Sequence, residues 1–351
     1  MPDVILQVGG RNYGGWKSVR ITLGMEQIAG TFDLSVSERF PGQPQAWPIL
    51  PGDECRVLVK GRPVITGYVD DVAPSYDRES HGVQVTGRDR TGDLVDCSAG
   101  HKSGEWHGAT LERIAADICA PFGIKVVAAA ATGKAFPRFA LQEAESAFEA
   151  LERAAKMRGV LLMSDGNGNL ILTRAATGRV GTALVKGQNI ERASGQFSHK
   201  DRYSRYIIKG QAPGSEYSTP EHNAQTKAVA EDKAVLRHRP LIILAEAGDG
   251  ATYADRAKWE RNIRAGRASR VSCTVTGWEH ADGLWLPNRL VRVRDDFLGV
   301  DGDLIIAQVV LSLDADAGSQ TQLELCRREA FDLIELLGRG AKKTKKETAA
   351  W

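Results

Sequence analysis

The sequence has little that marks a metal site, a disulfide framework or a membrane span. Its five cysteines are odd in number and form no CxxC pair, which predicts buried, reduced thiols rather than disulfides or a zinc site. It contains no HExxH, GxSxG or P-loop motif. No apolar run approaches the roughly 18 residues that span a bilayer, and the first residues do not resemble a secretory leader. We therefore expect a soluble protein, made in the cytoplasm, with no metal and no cofactor.

Net charge is also nearly absent. The 46 Lys and Arg residues are balanced by 44 Asp and Glu residues, which gives a formal net charge of +2. A dedicated nucleic-acid binder is usually strongly basic, so this balance argues against that class. The length of 351 residues, with 42% hydrophobic and 26% charged residues, is typical of a globular protein of two or three domains.

Short β-strand patterns fill the first part of the chain. Runs such as VILQV, SVRITL, TFDLSVS and CRVLVKG alternate apolar with polar residues, and glycine or proline turns separate them. Many short strands at regular spacing are typical of a small barrel or sandwich. We predict a first β-barrel domain over residues 1–97.

An α+β domain is predicted over residues 98–185. Thr110 and Ser146 each precede a run with apolar residues at helical spacing, and Gly123 and Gly159 follow these runs. These four residues are the start and stop signals of two helices. The second helix leads directly into the stretch GVLLMSDGNGNLILTR.

The acidic, glycine-laced run within this stretch, residues 165–169, is open to three interpretations. A calcium loop that starts at Asp165 needs glycine at its sixth position and glutamate at its twelfth, where this chain has Leu170 and Ala176. A phosphate cradle needs a helix after the glycines, and the pattern predicts none. Because apolar runs flank residues that tolerate turn conformations, we predict a β-hairpin.

The rest of the chain returns to β-strand patterns. We predict a second β-barrel-like domain over residues 186–330, with an insertion at about 212–270 that contains a helix from Tyr253 to Arg270. Residues 331–351 are basic and rich in Ala and Gly, which predicts a tail that is disordered or ordered by a partner.

An internal repeat links the two β-rich parts. LPGDECRVLV at 50–59 is similar to LPNRLVRVRD at 286–295, and each is followed by a long strand pattern. Chance likeness between short β-segments is the alternative. The predicted fold is mixed α+β and β-rich, with two similar small β-barrel domains flanking the α+β domain and a helical insertion in the second barrel. Three copies of such a chain would present six similar units around one axis.

Few residues suggest chemistry. His101 and His107 flank Glu105 in GHKSGEWHGAT, which fits either a metal or catalytic loop or a solvated linker. We favour the linker because no histidine pair lies at metal-binding helical spacing. No catalytic, cofactor-binding or metal-ligating residue is predicted.

Two groups of residues are candidates for protein contacts. The run RAKWERNIRAGRASR is basic and fits contact with nucleic acid or an acidic surface, but Asp255 and Glu260 favour a solvated helix face. The aromatic run GWEHADGLWLPN suggests core or interface anchors. The candidate interface residues are Trp278, Trp285, Trp259, Arg264 and Arg267.

The order of these segments resembles that of a known family. SAFEALERAAKMRG, GVLLMSDGNGNLILTR, DRYSRYIIKGQ, HRPLIILAE and the run from GWEHADGLWLPN to VVLSLD look like the tail hub protein of bacteriophage Mu and its prophage relatives. The likeness spans nearly the whole chain, from RITLGMEQIAGTFDLSVSERFPG to the last strand. Each motif is weakly specific, whereas the order and spacing together are fairly specific.

The resemblance implies a structural, trimeric baseplate hub of the virion tail. This family is similar in fold to the central hub of T-even phages and to the N-terminal region of VgrG spike proteins. The expected partners are two further copies, the tail tube or distal tail protein, the central spike protein and the end of the tape-measure protein. Phage DNA would pass through the lumen, with the β-domains lining it and the α+β domain outside or below. Assembly is expected in the host bacterial cytoplasm, without membrane insertion.

Two other classes stay open at this point. A cell-wall-degrading tail enzyme would need a fused lysozyme or peptidase domain, and little sequence follows residue 330. A type VI or bacteriocin-type spike component is expected to carry a C-terminal β-helix repeat, which this sequence lacks.

Overall fold

The computed structural model of the chain describes residues 3–37, 49–78, 81–210, 227–245, 252–314 and 316–334. Strands dominate these residues. The first seven strands are β1 Val4–Val8, β2 Arg11–Tyr13, β3 Ser18–Gly24, β4 Thr31–Ser37, β5 Glu54–Val59, β6 Arg62–Tyr76 and β7 His81–Asp89. The next six are β8 Glu105–Ala109, β9 Val126–Ala128, β10 Phe136–Ala140, β11 Leu161–Ser164, β12 Leu170–Thr173 and β13 Leu184–Val185.

The later strands fall on both sides of a long helix. They are β14 Arg192–Phe197, β15 Arg205–Gly210, β16 Lys227–Glu231, β17 Pro240–Ala245, β18 Ser269–Thr276, β19 Glu279–His280, β20 Gly283–Leu284, β21 Leu290–Asp295, β22 Val300–Asp314 and β23 Gly318–Cys326. The helices of the described residues are α1 Gly92–Asp96, α2 Leu111–Cys119, α3 Ala147–Lys156 and α4 Tyr253–Arg267. Single 3₁₀ turns occupy Ala120–Phe122 and Arg328–Phe331.

The predicted helix starts are confirmed by their caps. The Thr110 side chain accepts a hydrogen bond from the backbone N–H of Arg113, and Ser146 forms a reciprocal capping box with Glu149. Helix α4 begins at Tyr253 as predicted but ends at Arg267 rather than Arg270, because the chain enters β18 directly afterwards. Helix α1 was missed, since its region was predicted to contain strands alone.

Strands from both β-rich parts belong to one 13-stranded sheet. The strand order is β14-β18-β23-β22-β3-β4-β7-β6-β5-β1-β2, with β21 beside β22 and β13 beside β21. The two parts join where β22 pairs with β3. Within the described residues no sheet closes into a barrel, so the barrel form predicted for each β-rich part stays a prediction.

The hydrophobic core follows the same division. The inward side chains of the main sheet, from both β-rich parts, form one continuous cluster that includes Ile21, Val85, Val271 and Leu323. A second cluster holds α2, α3 and the hairpin strands together. A small separate cluster packs α4 against the three-stranded sheet β16-β15-β17. The strand patterns of the sequence thus form one large β-layer with two helix-containing lobes. Of the predicted tail, residues 331–351, residues 331–334 are described, and Phe331 is buried at the end of a 3₁₀ turn rather than disordered. Residues 335–351 and parts of the predicted insertion, residues 212–226 and 246–251, lie outside the described residues.

Candidate functional site: the open edges of the main sheet

The two β-rich parts repeat the same strand order. The path β3-β4-β7-β6-β5-β1 corresponds to the path β14-β18-β23-β22-β21-β13. Strands β5, β6 and β7 have 6, 15 and 9 residues, and β21, β22 and β23 have the same lengths. Each long strand carries an irregularity at the matching place, after Val69 in β6 and after Ile306 in β22. The internal repeat read from the sequence is therefore present as matching strands, with one difference: β13 runs parallel to β21, whereas β1 is antiparallel to β5.

Strand β22 uses one of its edges twice. Its first part pairs with β21, and its second part, residues 308–313, pairs with β3. In this second part Val309 lies opposite Leu23 and Leu313 lies opposite Val19. This pairing is the junction between the two repeats of one chain.

Among the described strands, the edges of β6 and β14 that correspond to this junction are open. The corresponding part of β6, residues 71–76, pairs with β7 alone among the described strands, and we call it the β6 edge. Strand β14, which corresponds to β3, pairs with β18 alone among them, and its outer side is the β14 edge. Open edges present backbone N–H and C=O groups that can pair with another strand. The chain therefore carries one edge of each kind that the β22–β3 junction uses.

Large apolar side chains stand exposed on these edges. Tyr76, at the end of β6, is 84% exposed, and Phe197, at the end of β14, is 56% exposed. All six residues of β14 are exposed. Exposed aromatic groups along an unpaired strand are typical of a surface that another chain covers.

The face of the main sheet opposite the core is polar, with hydroxyl and amide side chains between charges of both signs, such as Arg20, Asp33, Arg270 and Glu324. Cross-strand hydrogen bonds connect it, such as Gln84 to Asp33 at 2.8 Å and Gln322 to Ser272 at 3.2 Å. The serine, threonine and glutamine side chains on this face include Ser18, Thr22, Ser35, Ser272, Thr274, Gln308, Ser312 and Gln322. We call this surface the polar face.

The hairpin predicted at residues 159–174 is confirmed, and its turn is docked on β6. Strands β11 and β12 pair antiparallel, and Asp165 Oδ1 accepts hydrogen bonds from the backbone N–H groups of Asn167 and Asn169. The Thr66 hydroxyl donates to the Gly166 carbonyl at 2.8 Å. A Cβ at Gly166 would lie 2.1 Å from the Pro63 carbonyl oxygen, so only glycine fits. The acidic run is a structural joint, with its carboxylate used within the turn.

A buried carboxylate lies beside this joint. Asp89, 2% exposed, accepts hydrogen bonds from the backbone N–H groups of Gly30 and Thr66 and from the Ser164 hydroxyl. These donors favour the ionised form, but desolvation outweighs them and raises the pKa of Asp89 to about 7. Asp165 adds to the rise by repulsion. No signal in the local sequence identified this residue.

The structure separates the predicted interface residues into two places. Trp278 and Trp285 are each 2% exposed and belong to the main core, where the Trp278 indole donates to the Ser312 carbonyl at 2.9 Å. Because their side chains are covered within the chain, they support the surface around them. Their interface role stays a prediction.

Trp259, Arg264 and Arg267 lie together along a cleft of about 560 Å³ between α4 and the last described residues. The Trp259 indole donates to the Asp332 carbonyl at 2.6 Å. Of the two acids predicted to balance this helix, Glu260 is buried and pairs with Arg264 and Arg256 at 3.2 Å each, whereas Asp255 accepts a hydrogen bond from the Thr252 hydroxyl at the start of the helix. Their role in an interface also stays a prediction.

The residues suspected of chemistry have structural partners. Glu105 lies in β8 between His107 at 3.1 Å and Arg138 at 2.7 Å, and these two neighbours lower its pKa. The His101 ring stacks on Trp106 at 4.2 Å. Among the described residues no group of His, Cys, Asp and Glu side chains is arranged to hold a metal ion. None of the helices described is long and apolar enough to cross a bilayer.

Four of the five cysteines are buried as predicted. Burial raises the pKa of the Cys55, Cys119, Cys273 and Cys326 thiols to about 12 each, so they are unreactive. Cys97 is exposed, which corrects the prediction that all five are buried. It lies directly after the short helix α1, where the chain leaves the main sheet.

A repeated β-architecture with open strand edges is typical of a protein that assembles with other chains. Residues 3–89 match the family described as Mu phage baseplate assembly protein GpP-like, N-terminal. Residues 91–174 match the second domain of the baseplate hub protein gp44-like family, and residues 250–334 match the fourth domain of the Mu phage baseplate assembly protein GpP family.

Individual relatives agree with these matches. Baseplate hub protein gp44 of Escherichia phage Mu is 35% identical over 338 residues, which are 93% of this chain and 88% of that protein. The 43 kDa tail protein of prophage MuSo2 from Shewanella oneidensis is 39% identical, with a TM-score of 0.83 over 94% of this chain and 99% of that one. A type VI secretion component of E. coli is 10% identical, with a TM-score of 0.56 over 94% and 80% of the two chains, and this likeness concerns the fold alone.

The chain belongs to the baseplate hub family of phage Mu. Its relatives are components of the phage tail baseplate, so its role is structural. The cell-wall-degrading enzyme that the sequence left open is thereby set aside, because the matched proteins are structural hub proteins rather than enzymes.

Proposed function

We propose that three copies form a closed ring in which the β6 edge of each copy pairs with the β14 edge of the next. The observation that carries this proposal is the β22–β3 junction, which is the same pairing between corresponding strands within one chain. Transferred to the open edges, its register sets Tyr76 opposite Ala193 of the neighbouring copy and Val72 opposite Phe197. A head-to-tail contact of this kind generates a closed ring when the rotation fits.

The ring joins a sixfold structure to a threefold one. Each copy contributes two similar β-rich parts, so three copies supply six similar units on the side of the tail tube or distal tail protein. The same three chains have true threefold symmetry, which matches a threefold central spike protein. In this proposal residues 1–97 and residues 186–330 are the two β-barrel-like parts, and residues 98–185 are the α+β domain.

The polar face lines the channel through which phage DNA and the end of the tape-measure protein pass. Serine, threonine and glutamine side chains keep a wall hydrated without neutralising phosphates, so DNA slides past without being retained. The charged residues on this face carry both signs, such as Arg20 opposite Asp33, and Asp33 is also hydrogen-bonded to Gln84. The α+β domain then lies outside or below the ring, and assembly takes place in the host cytoplasm before the protein enters the virion tail.

Light scattering of the purified protein at several concentrations tests the ring. We expect a mass three times the 38.1 kDa of the single chain. Ala193→Pro removes a backbone N–H that the transferred register turns towards the open edge, so it should give single chains that are still folded. Ala193→Ser keeps that N–H and should remain trimeric. A wild type that stays at the mass of one chain, or an Ala193→Pro variant that stays trimeric, contradicts the proposed pairing.

A further inference from the structure

The three-stranded sheet β16-β15-β17 has an apolar face that the rest of the described chain leaves open. Its other face packs on α4 through Tyr206 and Ile208, which are fully buried. On the open face Val229, Ile207 and Ile242 lie in one row across the three strands. Val229 is 39% exposed, Ile242 is 54% exposed, and Leu244 beside them is 61% exposed. We call these four residues the aliphatic row.

Positive charge lies at one end of this row. Lys209 and Lys227 face each other across β15 and β16, and within the described residues neither forms an ion pair. Like charges directly opposite each other destabilise a sheet. At the other end Arg205 pairs with Glu231 at 3.6 Å, so its charge is already balanced. The uncompensated charge of this face is therefore the lysine pair.

We propose that this face docks a protein partner whose surface has an apolar centre and acidic side chains at one end. The aliphatic row would be covered by the apolar centre, and the acidic groups would reach Lys209 and Lys227. The acidic groups of the partner would also offset the repulsion between the two lysines. The partner is another component of the tail and does not use the β6 or β14 edges.

Other occupants fit the chemistry less well. A second copy that presented the same face would set lysine against lysine. Single-stranded nucleic acid is bound by aromatic platforms on which bases stack, and this row is aliphatic. Anionic membranes are held by amphipathic helices with aromatic residues, whereas this face is a sheet with aliphatic side chains.

Site-specific photo-crosslinking in assembled tail particles tests the proposal. A benzophenone amino acid replaces Ile242 in the full-length chain, and a matched control carries it at Lys258, on the exposed side of α4. We expect the Ile242 position to crosslink to an Asp- or Glu-containing segment of a different tail protein, identified by mass spectrometry, at least about tenfold more than the control. Charge reversal by Lys209→Glu with Lys227→Glu should lower that yield at least about fivefold, because the two acidic surfaces then repel.

Four outcomes overturn the proposal: a crosslink to another copy of this chain, to lipid, or to nucleic acid, or a yield at Ile242 no higher than that at Lys258. The mass of the isolated ring is measured on the same variants. Because the aliphatic row belongs to a different sheet from the β6 and β14 edges, that mass should be unchanged. Failure of the docking surface is thereby distinguishable from failure of the ring.

Discussion

The carboxylate of Asp89 accepts a hydrogen bond of 2.8 Å from the hydroxyl of Ser164, and this bond joins the end of β7 to the first strand of the hairpin. The same carboxylate accepts the backbone N–H of Thr66 in β6 and that of Gly30 before β4. One buried group therefore holds the main sheet and the α+β domain in contact. Its pKa of about 7 makes that contact depend on pH.

We expect Asp89 to make the folded chain less stable as pH rises from about 4 to about 7. Its pKa when folded lies above the ordinary value of 3.8, so the folded chain binds this proton more tightly than the unfolded chain does. The stabilisation is complete below the ordinary value and is lost as pH passes the raised one, at about 1.4 kcal/mol per pH unit. Asp89→Asn should lack this slope. Urea unfolding of both proteins between pH 5 and pH 8 measures it, and parallel stability curves would refute the expectation.

Gly166→Ala should weaken the same joint by steric conflict. The new Cβ would meet the backbone oxygen of Pro63 at 2.1 Å, and a strand backbone cannot move aside as a flexible side chain can. We expect a loss of about 1–3 kcal/mol in the free energy of unfolding. The rate of backbone hydrogen exchange in the β11–β12 hairpin should also rise. Gly100→Ala is the matched control, since no atom lies within 4 Å of its Cβ. Equal stability of the two variants would show that the turn does not dock on β6.

Local patterns predicted the elements of this fold but not their partners. The turn at residues 165–169 was predictable because its signals are local. Its glycines and asparagines tolerate turn conformations, and Asp165 accepts hydrogen bonds from the backbone N–H groups of Asn167 and Asn169. The docking of this turn on β6 could not be predicted, because Thr66 lies 100 positions away and nothing in the sequence distinguishes it from other strand residues. Asp89 was missed for the same reason, since burial by three separate segments leaves no local signal.

The open edges show the same limit. Alternation of polar and apolar residues predicted β6 and β22 as long strands. The similarity between residues 50–59 and residues 286–295 could also be recognised in the sequence. Which neighbour each strand takes depends on topology, so the single sheet and its open β6 and β14 edges are known from the structure alone. The proposed register between copies in turn depends on the bulges after Val69 and Ile306, which set the two repeats in the same frame.

A disulfide between copies should form at one specific pair of positions. The transferred register sets Ser75 opposite Ser194 of the neighbouring copy, corresponding to Ser312 opposite Arg20 within the chain. That pair does not exchange backbone hydrogen bonds, so its Cα atoms approach to about 4.5 Å and suit a disulfide. In a chain with the exposed Cys97 replaced by serine, Ser75→Cys with Ser194→Cys should give a covalent trimer on oxidation.

The control for this disulfide shifts one partner along the strand. Ser75→Cys with Gln196→Cys should remain largely uncrosslinked, because diagonal neighbours lie about 7–8 Å apart. Non-reducing gel electrophoresis reads both variants. Equal crosslinking of the two pairs, or crosslinking of neither, would contradict the register.

Arginine on the polar face should convert a passive channel wall into one that holds DNA. Thr22 and Thr274 both lie on this face, in the two repeats, and the ring would bring three copies of each around one channel. Thr22→Arg with Thr274→Arg should therefore retain duplex DNA in a filter-binding assay at low salt, with an affinity that falls steeply as salt rises, because each phosphate contact releases counterions. The wild type should show no comparable retention.

Ala131→Arg with Ala254→Arg adds the same charge at exposed positions away from that face, so it separates the effect of location from that of net charge. If both variants bound DNA equally, the polar face would not be the channel wall, whereas selective binding by the first variant would identify the residues that DNA passes.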